Sequence, residues 1–240
     1  MSEKRKGSTK RFDYLVPICL FGDASVGKST LMYRFKEGAY MELAETIGVE
    51  FADKEVIVRN KVIKLQCWDT SGDTRFRSTV KQYFRAKAGC ILAFDITWRE
   101  SFNSVPRWCE ELRELAHPEA VILLVGTKSD LAGTGRKVSF DEAQALAQTF
   151  GIQYREVSSK TGQGVQEVFS TLAELILDKI EDGKIDIMDP SIGVRKNGEI
   201  IASDFLIKSE NALAKKEESF LNKIFGGIGG IFTCPKKDKK

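Results

Sequence analysis

The chain of 240 residues has little of what several common protein classes depend on. It has one histidine, His117, in a predicted loop, so a catalytic centre built on histidine is not expected. Its five cysteines are odd in number and irregularly spaced, which is typical of neither a disulfide framework nor a zinc site. A formal net charge of +3 is too small to favour nucleic acid as a partner.

Long hydrophobic runs are also absent. No window approaches the roughly 20 apolar residues that span a bilayer, and no apolar run typical of a signal peptide follows Met1. Ser2 stands where N-myristoylation requires glycine. Cys19, Cys67 and Cys90 lie in apolar runs, where a reduced cysteine serves as a small hydrophobic residue. These features lead us to expect a cytoplasmic protein.

The most informative feature that is present is a G-x-x-x-x-G-K-S run, residues 22–29, which we call the phosphate loop. An apolar, strand-like segment precedes it and a helical segment follows, so backbone N–H groups and a helix N-terminus converge on one point. Gly22 and Gly27 allow the backbone to curl around an anion. Lys28 can reach terminal phosphates, and the hydroxyl of Ser29 can bind the accompanying Mg²⁺.

From about Phe12 to Ile180, short apolar runs alternate with helical patterns, which predicts an α/β fold with a wound sheet. The patterns predict strands over 14–21, 49–59, 61–69, 89–95, 121–126 and 153–157, and helices over 29–35, 101–115, 139–150 and 165–180. We divide the chain into a basic tail (1–11), a nucleotide-binding domain (12–182) and a turn-rich tail (183–240).

Three further motifs follow predicted strands, at the sheet edge where ligands bind in open α/β folds. Asp69 can hold the hydration shell of Mg²⁺ opposite Ser29, and Gly72 can bring a backbone N–H to a terminal phosphate. Thr127-Lys128-Ser129-Asp130 offers a carboxylate for the two adjacent donors of guanine, which adenine lacks. Ser158-Ser159-Lys160 can contact the base oxygen through backbone N–H groups. Each motif alone is equally typical of a surface turn; four in this order are not.

With these motifs, residues 12–180 resemble the Ras-type small GTPases, and among them the Rab branch. The branch-specific stretches are Ile47–Phe51, Lys64–Thr70, Arg75–Arg77, Tyr83–Arg85 and Phe94–Thr97. The resemblance implies a Ras-like fold, a six-stranded, mostly parallel sheet with helices on both faces. It also implies a switch that binds GTP or GDP with Mg²⁺, hydrolyses GTP, and recruits effectors in membrane traffic from the cytosolic face of an endomembrane.

Carried over by position, the resemblance implies a complete set of site residues. Those implied to bind the nucleotide are Gly22, Asp23, Ala24, Ser25, Val26, Gly27, Lys28, Ser29, Thr30, Tyr40, Thr46, Gly72, Thr127, Lys128, Asp130, Ser158, Ser159 and Lys160. The metal ligands are Ser29, Thr46 and Asp69, and the catalytic residues are Lys28, Thr46 and Asp73. Tyr40 is implied to stack on guanine.

The partners implied are an exchange factor, a GTPase-activating protein and effectors, all meeting the switch regions. Phe51, Trp68 and Tyr83 match three aromatic residues that partners of Rab proteins contact. Ordinary core packing is the alternative interpretation of these three residues, and the sequence does not decide between the two.

The chain departs from the family pattern at several positions. Asp73 stands where the family has a glutamine that positions water, and a carboxylate only accepts hydrogen bonds and adds negative charge, so we expect slow intrinsic hydrolysis. A hydrolysis-deficient, GTP-loaded binding module is therefore the alternative function. Thr127 replaces a commoner asparagine, Ala24 replaces serine or glycine, and residues 40–46 are one residue shorter than usual. We expect guanine binding to survive the change at Thr127.

The C-terminal end is the largest departure. Cys234 is followed by six more residues, which fits no standard prenylation pattern. Apolar residues between Phe205 and Phe225 recur at roughly helical spacing among lysines. A disordered tail or a helix packed on the domain is one interpretation; an amphipathic helix lying on a membrane, with Lys236–Lys240 attracted to anionic lipid, is the other.

Overall fold

The computed structural model describes residues 12–46, 48–72 and 82–196. The chain divides into two compact units, residues 1–199 and 200–240, and every described residue belongs to the first. The basic tail (1–11), Asp73 and the C-terminal features from Phe205 to Lys240 lie outside the described residues, so the expectations for them stay predictions.

The described residues form one mixed sheet with the strand order β2-β3-β1-β4-β5-β6. Its strands are β1 (Tyr14–Phe21), β2 (Val49–Val58), β3 (Lys61–Thr70), β4 (Gly89–Asp95), β5 (Val121–Thr127), β6 (Gln153–Glu156) and a two-residue β7 (Arg195–Lys196). β1, β3, β4, β5 and β6 are parallel, whereas β2 runs antiparallel to β3 and β7 antiparallel to β1. The predicted α/β class and mostly parallel sheet are confirmed, with β7 as an added strand.

A tight turn joins β2 and β3, which pair as an antiparallel hairpin. Val58 pairs with Lys61, so the loop has two residues, Arg59 and Asn60. Both have positive φ, 49° and 62°, which is the conformation that matches the twist of a two-residue hairpin.

The described helices are α1 (Lys28–Glu37), α2 (Arg99–Asn103), α3 (Val105–Leu115), α4 (Ala132–Gly135), α5 (Phe140–Thr149) and α6 (Val165–Glu181), with 3₁₀ turns at Gln82–Phe84 and Ser129–Leu131. The helix predicted over 101–115 is in fact two helices that meet at Ser104. Pro106 explains the break, because proline lacks an N–H and its ring clashes with the carbonyl four residues earlier. Within the described ranges, no helix has the length and apolar character needed to cross a membrane.

The sheet is covered on both faces. On one face, α1 and α6 pack over the strands, and Phe35 stacks on Phe169 with ring centroids 3.7 Å apart. On the other face, α3 and α5 cover a cluster that includes Phe21 and Trp108. All residues of β4 are buried, as its continuous apolar sequence predicts. Cys19, Cys67, Cys90 and Cys109 are free and buried.

The packed part of the chain extends past the domain boundary predicted at residue 182. Ile185, Ile192 and Val194 are buried in the core, and β7 follows them along β1. The turn-rich sequence concealed this, because three buried side chains at irregular spacing form neither a helical nor a strand pattern. Gly193, with φ of 72°, allows the close approach, since a Cβ there would lie 2.6 Å from the carbonyl oxygen of Ala86.

Candidate functional site

The phosphate loop joins β1 to α1 in a tight backbone curl. Gly22 has φ of 129°, and a Cβ on it would lie 2.0 Å from the carbonyl oxygen of Ala93, so only glycine fits. Gly27, with φ of 94°, caps the N-terminus of α1. The loop thus presents the unpaired N–H groups and the positive end of the helix dipole to one point, which suits an anion.

The buried side chain of Lys28 bonds back to the start of the phosphate loop. The residue is 5% exposed, and Nζ donates to the carbonyl oxygens of Gly22 (3.0 Å) and Asp23 (2.7 Å). Burial lowers the pKa of Lys28 to about 8, although the charges of Asp69 and Asp23 oppose the shift. A phosphate placed beside Nζ would supply the negative charge that favours the ammonium form.

Three oxygen-bearing side chains meet at the end of β3, as the sequence predicts. Ser29 Oγ donates to Asp69 Oδ2 at 2.5 Å and lies 2.5 Å from Thr46 Oγ1. Thr46 Oγ1 also donates to Asp69 Oδ2, at 3.3 Å. Burial raises the pKa of Asp69 to about 6, against the hydrogen bond from Ser29 and the charge of Lys28.

These residues fit a hard divalent cation. Asp69 is fully buried, yet its Oδ1 has no hydrogen-bond partner among the described residues. An orphaned carboxylate oxygen beside two hydroxyls is the donor set that Mg²⁺ takes, with water and phosphate oxygens completing the shell. Elsewhere in the described ranges, no cluster of three or more His, Cys, Asp or Glu side chains is placed to hold a metal.

The residues predicted to recognise the base follow β5 and β6. Asp130 Oδ1 accepts a hydrogen bond of 2.6 Å from Ser158 Oγ, which also accepts from the amide of Thr161. Ser159 is half-buried and Lys160 is exposed. The contact between Asp130 and Ser158 joins the two loops that the sequence assigns to one base.

Lys128 links this region to the phosphate loop. Its backbone is left-handed, with φ of 61°, and Nζ lies 2.6 Å from Asp95 Oδ2 and 3.3 Å from the carbonyl oxygen of Ser25. Asp95, at the end of β4, is held in turn by the amide and hydroxyl of Thr97. The ion pair fixes the Lys128 side chain, so its methylene stem is placed along one side of the cavity.

The side chain of Thr127 contacts the backbone of the phosphate loop. Its hydroxyl lies 2.6 Å from the carbonyl oxygen of Val26 and 3.0 Å from that of Phe94, and the residue is buried. The hydroxyl has a single proton, which these two carbonyl oxygens share, so the side chain of Thr127 links the phosphate loop to the end of β4.

The loop encloses one side of a cavity of about 350 Å³. Of the predicted nucleotide-binding residues, the lining includes Ala24, Ser25, Gly27, Lys28, Ser29, Thr30, Tyr40, Thr46, Gly72 and Lys128. The others do not line it: Gly22, Asp23, Val26, Thr127, Asp130, Ser158, Ser159 and Lys160. The backbone carbonyl oxygens of Gly22 and Asp23 accept hydrogen bonds from Lys28, and that of Val26 accepts one from Thr127.

Sequence reasoning missed several residues around the site. Glu42 and Glu45 also line the cavity. Asp95 pairs with Lys128, and its position as a charged residue at the end of a buried strand was the signal that could have identified it. Trp108 donates from its indole nitrogen to Asp23, 85 residues away, and no local pattern indicates such a contact.

Phe51 on β2, Trp68 on β3 and Tyr83 in the 3₁₀ turn Gln82–Phe84 form one contiguous aromatic group. The rings of Phe51 and Trp68 are 5.0 Å apart, and those of Trp68 and Tyr83 5.8 Å. Trp68 is buried in the core, Tyr83 is half-buried, and Phe51 is 42% exposed. The group is therefore packed into the core at Trp68 and exposes an apolar surface at Phe51.

Comparisons with known proteins agree with this geometry. The model of the family described as "Ras family" matches residues 17–178. The chain is similar to "Ras-related protein Rab-4" of Dictyostelium discoideum, with 42% identity over 72% of this chain and 85% of the relative. It is also 42% identical to "Ras-related protein Rab-4B" of Homo sapiens, over 73% of this chain and 82% of that one. "Ras-related protein Rab-4A" of Danio rerio is 42% identical, over 74% and 84%. The chain therefore belongs to the Ras family, as a small GTPase of the Rab type.

Proposed function

We propose that this protein is a guanine-nucleotide switch that binds GTP or GDP with Mg²⁺ at the phosphate loop and hydrolyses GTP. The observation that carries the proposal is the hydrogen-bonded group of Ser29, Thr46 and Asp69, with Asp69 close enough to Lys28 for their charges to interact. Lys28, Ser29, Thr46 and Lys128 line the same cavity. Membership of the Ras family supports the same chemistry.

Guanine selectivity rests on Asp130. Its carboxylate accepts hydrogen bonds only, and guanine presents two adjacent donors on its N1/N2 edge. Ser158 donates a hydrogen bond to the carboxylate of Asp130, and the backbone N–H groups of Ser159 and Lys160 would contact the base oxygen. Adenine would leave the carboxylate unpaired, which costs binding free energy.

In the reaction, the chain positions the phosphates and stabilises developing charge. Lys28 donates to the terminal phosphates in place of its present carbonyl partners, and Gly72 brings its N–H to the group that is transferred. Ser29, Thr46 and Asp69 would hold Mg²⁺, which neutralises charge on the phosphate oxygens. Thr46 thereby couples residues 40–46, the first switch loop, to the presence of the terminal phosphate.

Asp73 slows the intrinsic reaction. Two like charges about 4 Å apart repel by about 4 kcal/mol at an effective dielectric constant near 20, and solvent reduces this value. A carboxylate also cannot donate to the phosphoryl oxygen as a glutamine amide does. An activating protein that supplies its own glutamine and an arginine would overcome the loss.

Single-turnover GTP cleavage tests this part of the proposal. Asp73→Gln should accelerate cleavage, and Asp73→Asn, which removes the charge but keeps the length, should give part of the gain. If neither variant is faster than the wild type, the charge argument is wrong.

The comparisons do not support the hydrolysis-deficient alternative. Cleavage that is undetectable both alone and with a cell extract would revive it.

We further propose a role in vesicle traffic on the cytosolic face of an endomembrane, in line with the Rab-4 relatives. Exchange factors, activating proteins and effectors would meet the switch regions and the exposed edge of Phe51, Trp68 and Tyr83. A pull-down with GTP-loaded and GDP-loaded protein tests this, with Phe51→Ala as the surface variant and Ile57→Ala as an exposed control on the same strand. Loss of GTP-dependent partners in both variants would argue against a specific surface.

Membrane contact through residues 203–240 remains a separate proposal. Flotation with vesicles that contain anionic lipid should carry the full chain, and changing the four lysines Lys236, Lys237, Lys239 and Lys240 to glutamine should release it. Flotation that is independent of anionic lipid would contradict it.

A further inference from the structure

Asp23 belongs to the phosphate loop, yet its side chain points away from the cavity. Its Oδ1 accepts a hydrogen bond of 2.8 Å from the indole nitrogen of Trp108 on α3. Trp108 is 4% exposed, and its ring lies 6.4 Å from that of Phe21, the residue immediately before the loop. Arg107 is more distant, 3.7 Å from the same oxygen, and half of its side chain is exposed.

The backbone of Asp23 is engaged on its other sides. Its carbonyl oxygen accepts the shorter of the two hydrogen bonds from Lys28. Gly72 lies directly against the peptide that follows, since a Cβ on Gly72 would be 2.3 Å from both the carbonyl carbon of Asp23 and the amide nitrogen of Ala24. A small rotation of this peptide would therefore displace both the lysine and the glycine that face the terminal phosphates.

We infer that Trp108 is a positioning residue for nucleotide binding, which fixes the Asp23–Ala24 peptide through the carboxylate of Asp23. The indole N–H can only donate, and a hydrogen bond to a carboxylate is stronger than one between neutral groups. Trp108 is buried in the core, so its hydrogen bond ties Asp23 to α3. The phosphate loop itself has positive φ angles at Gly22, Ser25 and Gly27. The inference rests on the proposed function, since it concerns the phosphates of that nucleotide.

The test compares matched substitutions in the full-length protein. Trp108→Phe keeps an aromatic ring but removes the donor, and Trp98→Phe makes the same change at a tryptophan that is 39% exposed and makes no hydrogen bond to the phosphate loop through its indole. Asp23→Ala removes the acceptor, and Asp23→Asn keeps an acceptor oxygen in place. Asp23→Ala also tests the contact should Trp108→Phe fail to fold.

The measured quantities are the affinities for GDP, from release of a fluorescent analogue, and for GMP, from competition. Trp108→Phe and Asp23→Ala should each weaken GDP binding about tenfold, equivalent to about 1.4 kcal/mol. The double variant should be no weaker than either single variant, and Asp23→Asn should restore most of the affinity. GMP lacks the phosphate that the loop and Lys28 grip, so its affinity should stay within about twofold.

Four results would overturn the inference while leaving the proposed function in place: unchanged GDP affinity in Trp108→Phe, an equal loss in Trp98→Phe, additive losses in the double variant, or an equal loss for GMP. The last would mean that the contact supports the fold in general. Failure of the wild-type protein to bind any guanine nucleotide would instead overturn the proposed function and this inference with it.

Discussion

The hydroxyl of Thr127 offers a sharp test of how the fold supports the phosphate loop. It lies within hydrogen-bonding distance of two carbonyl oxygens, those of Val26 in the loop and Phe94 in β4. Thr127→Val keeps the branched shape but removes the donor. We expect the variant to bind GDP more weakly than the wild type, because the loop loses its tether to the sheet.

The structure sets the size of the effect. A buried carbonyl oxygen left without its donor costs about 1–3 kcal/mol. When the whole cost falls on the GDP-bound state, the affinity for GDP drops by about 5- to 150-fold. Thr127 is 2% exposed, so water cannot readily replace the lost donor. We therefore expect the upper half of that range for Thr127→Val and less than about threefold for Thr127→Ser, which keeps the hydroxyl.

Release of a fluorescent GDP analogue, followed by stopped flow, measures the effect. Thr127→Asn serves as a second control, because an amide can donate to both carbonyl oxygens. If Thr127→Val releases GDP at the rate of the wild type, the tether does not contribute to binding. If Thr127→Ser is as impaired as Thr127→Val, packing of the methyl group and not the hydrogen bond explains the loss.

Three other changes test separate parts of the structure. Gly72→Ala should lower GTP affinity by more than about tenfold in a binding titration, because the added Cβ would overlap the phosphate loop. An unchanged affinity would mean that the segment around Gly72 and the phosphate loop separate freely. Glu156→Gln should lower the free energy of unfolding at pH 7 by about 1 kcal/mol through loss of the paired hydrogen bonds from Arg136. Burial alone would raise the pKa of Glu156, but hydrogen bonds from Arg136 and Tyr154 bring it below the ordinary 4.5. The stability difference between the wild type and Glu156→Gln should therefore be complete above pH 4.5 and vanish as the pH falls through the lowered pKa. A constant difference from pH 7 to 3 would refute this expectation. Phe169→Ala should cost about 3–5 kcal/mol in urea unfolding, and a loss below about 1 kcal/mol would show that the stack on α1 is not part of the core.

Much of the fold follows from local sequence patterns. β1 and β4 coincide with continuous apolar runs, apart from Asp95 at the end of β4, because strands buried on both faces carry few polar residues. Ser139 accepts from the amide of Glu142, so the predicted start of α5 has its cap. The division of the predicted 101–115 helix also had a local signal, Pro106, whose effect the helical spacing around it concealed.

The remaining features depend on contacts between distant parts of the chain. β7 has only two residues, and its pairing with Tyr14 and Leu15 exists because the sheet leaves space beside β1. The ion pair between Lys128 and Asp95 forms because β4 and β5 end at one edge. Local spacing gives no information about such pairings, since the partners are brought together only by the completed sheet.

Calorimetric titration with GDP, IDP and ADP in the presence of Mg²⁺ measures whether the site selects guanine. We expect tight binding of GDP, no measurable binding of ADP, and weaker binding of IDP, whose base lacks the amino group that Asp130 accepts from. Equal affinities for GDP and ADP, or no heat with any of the three, would contradict this expectation.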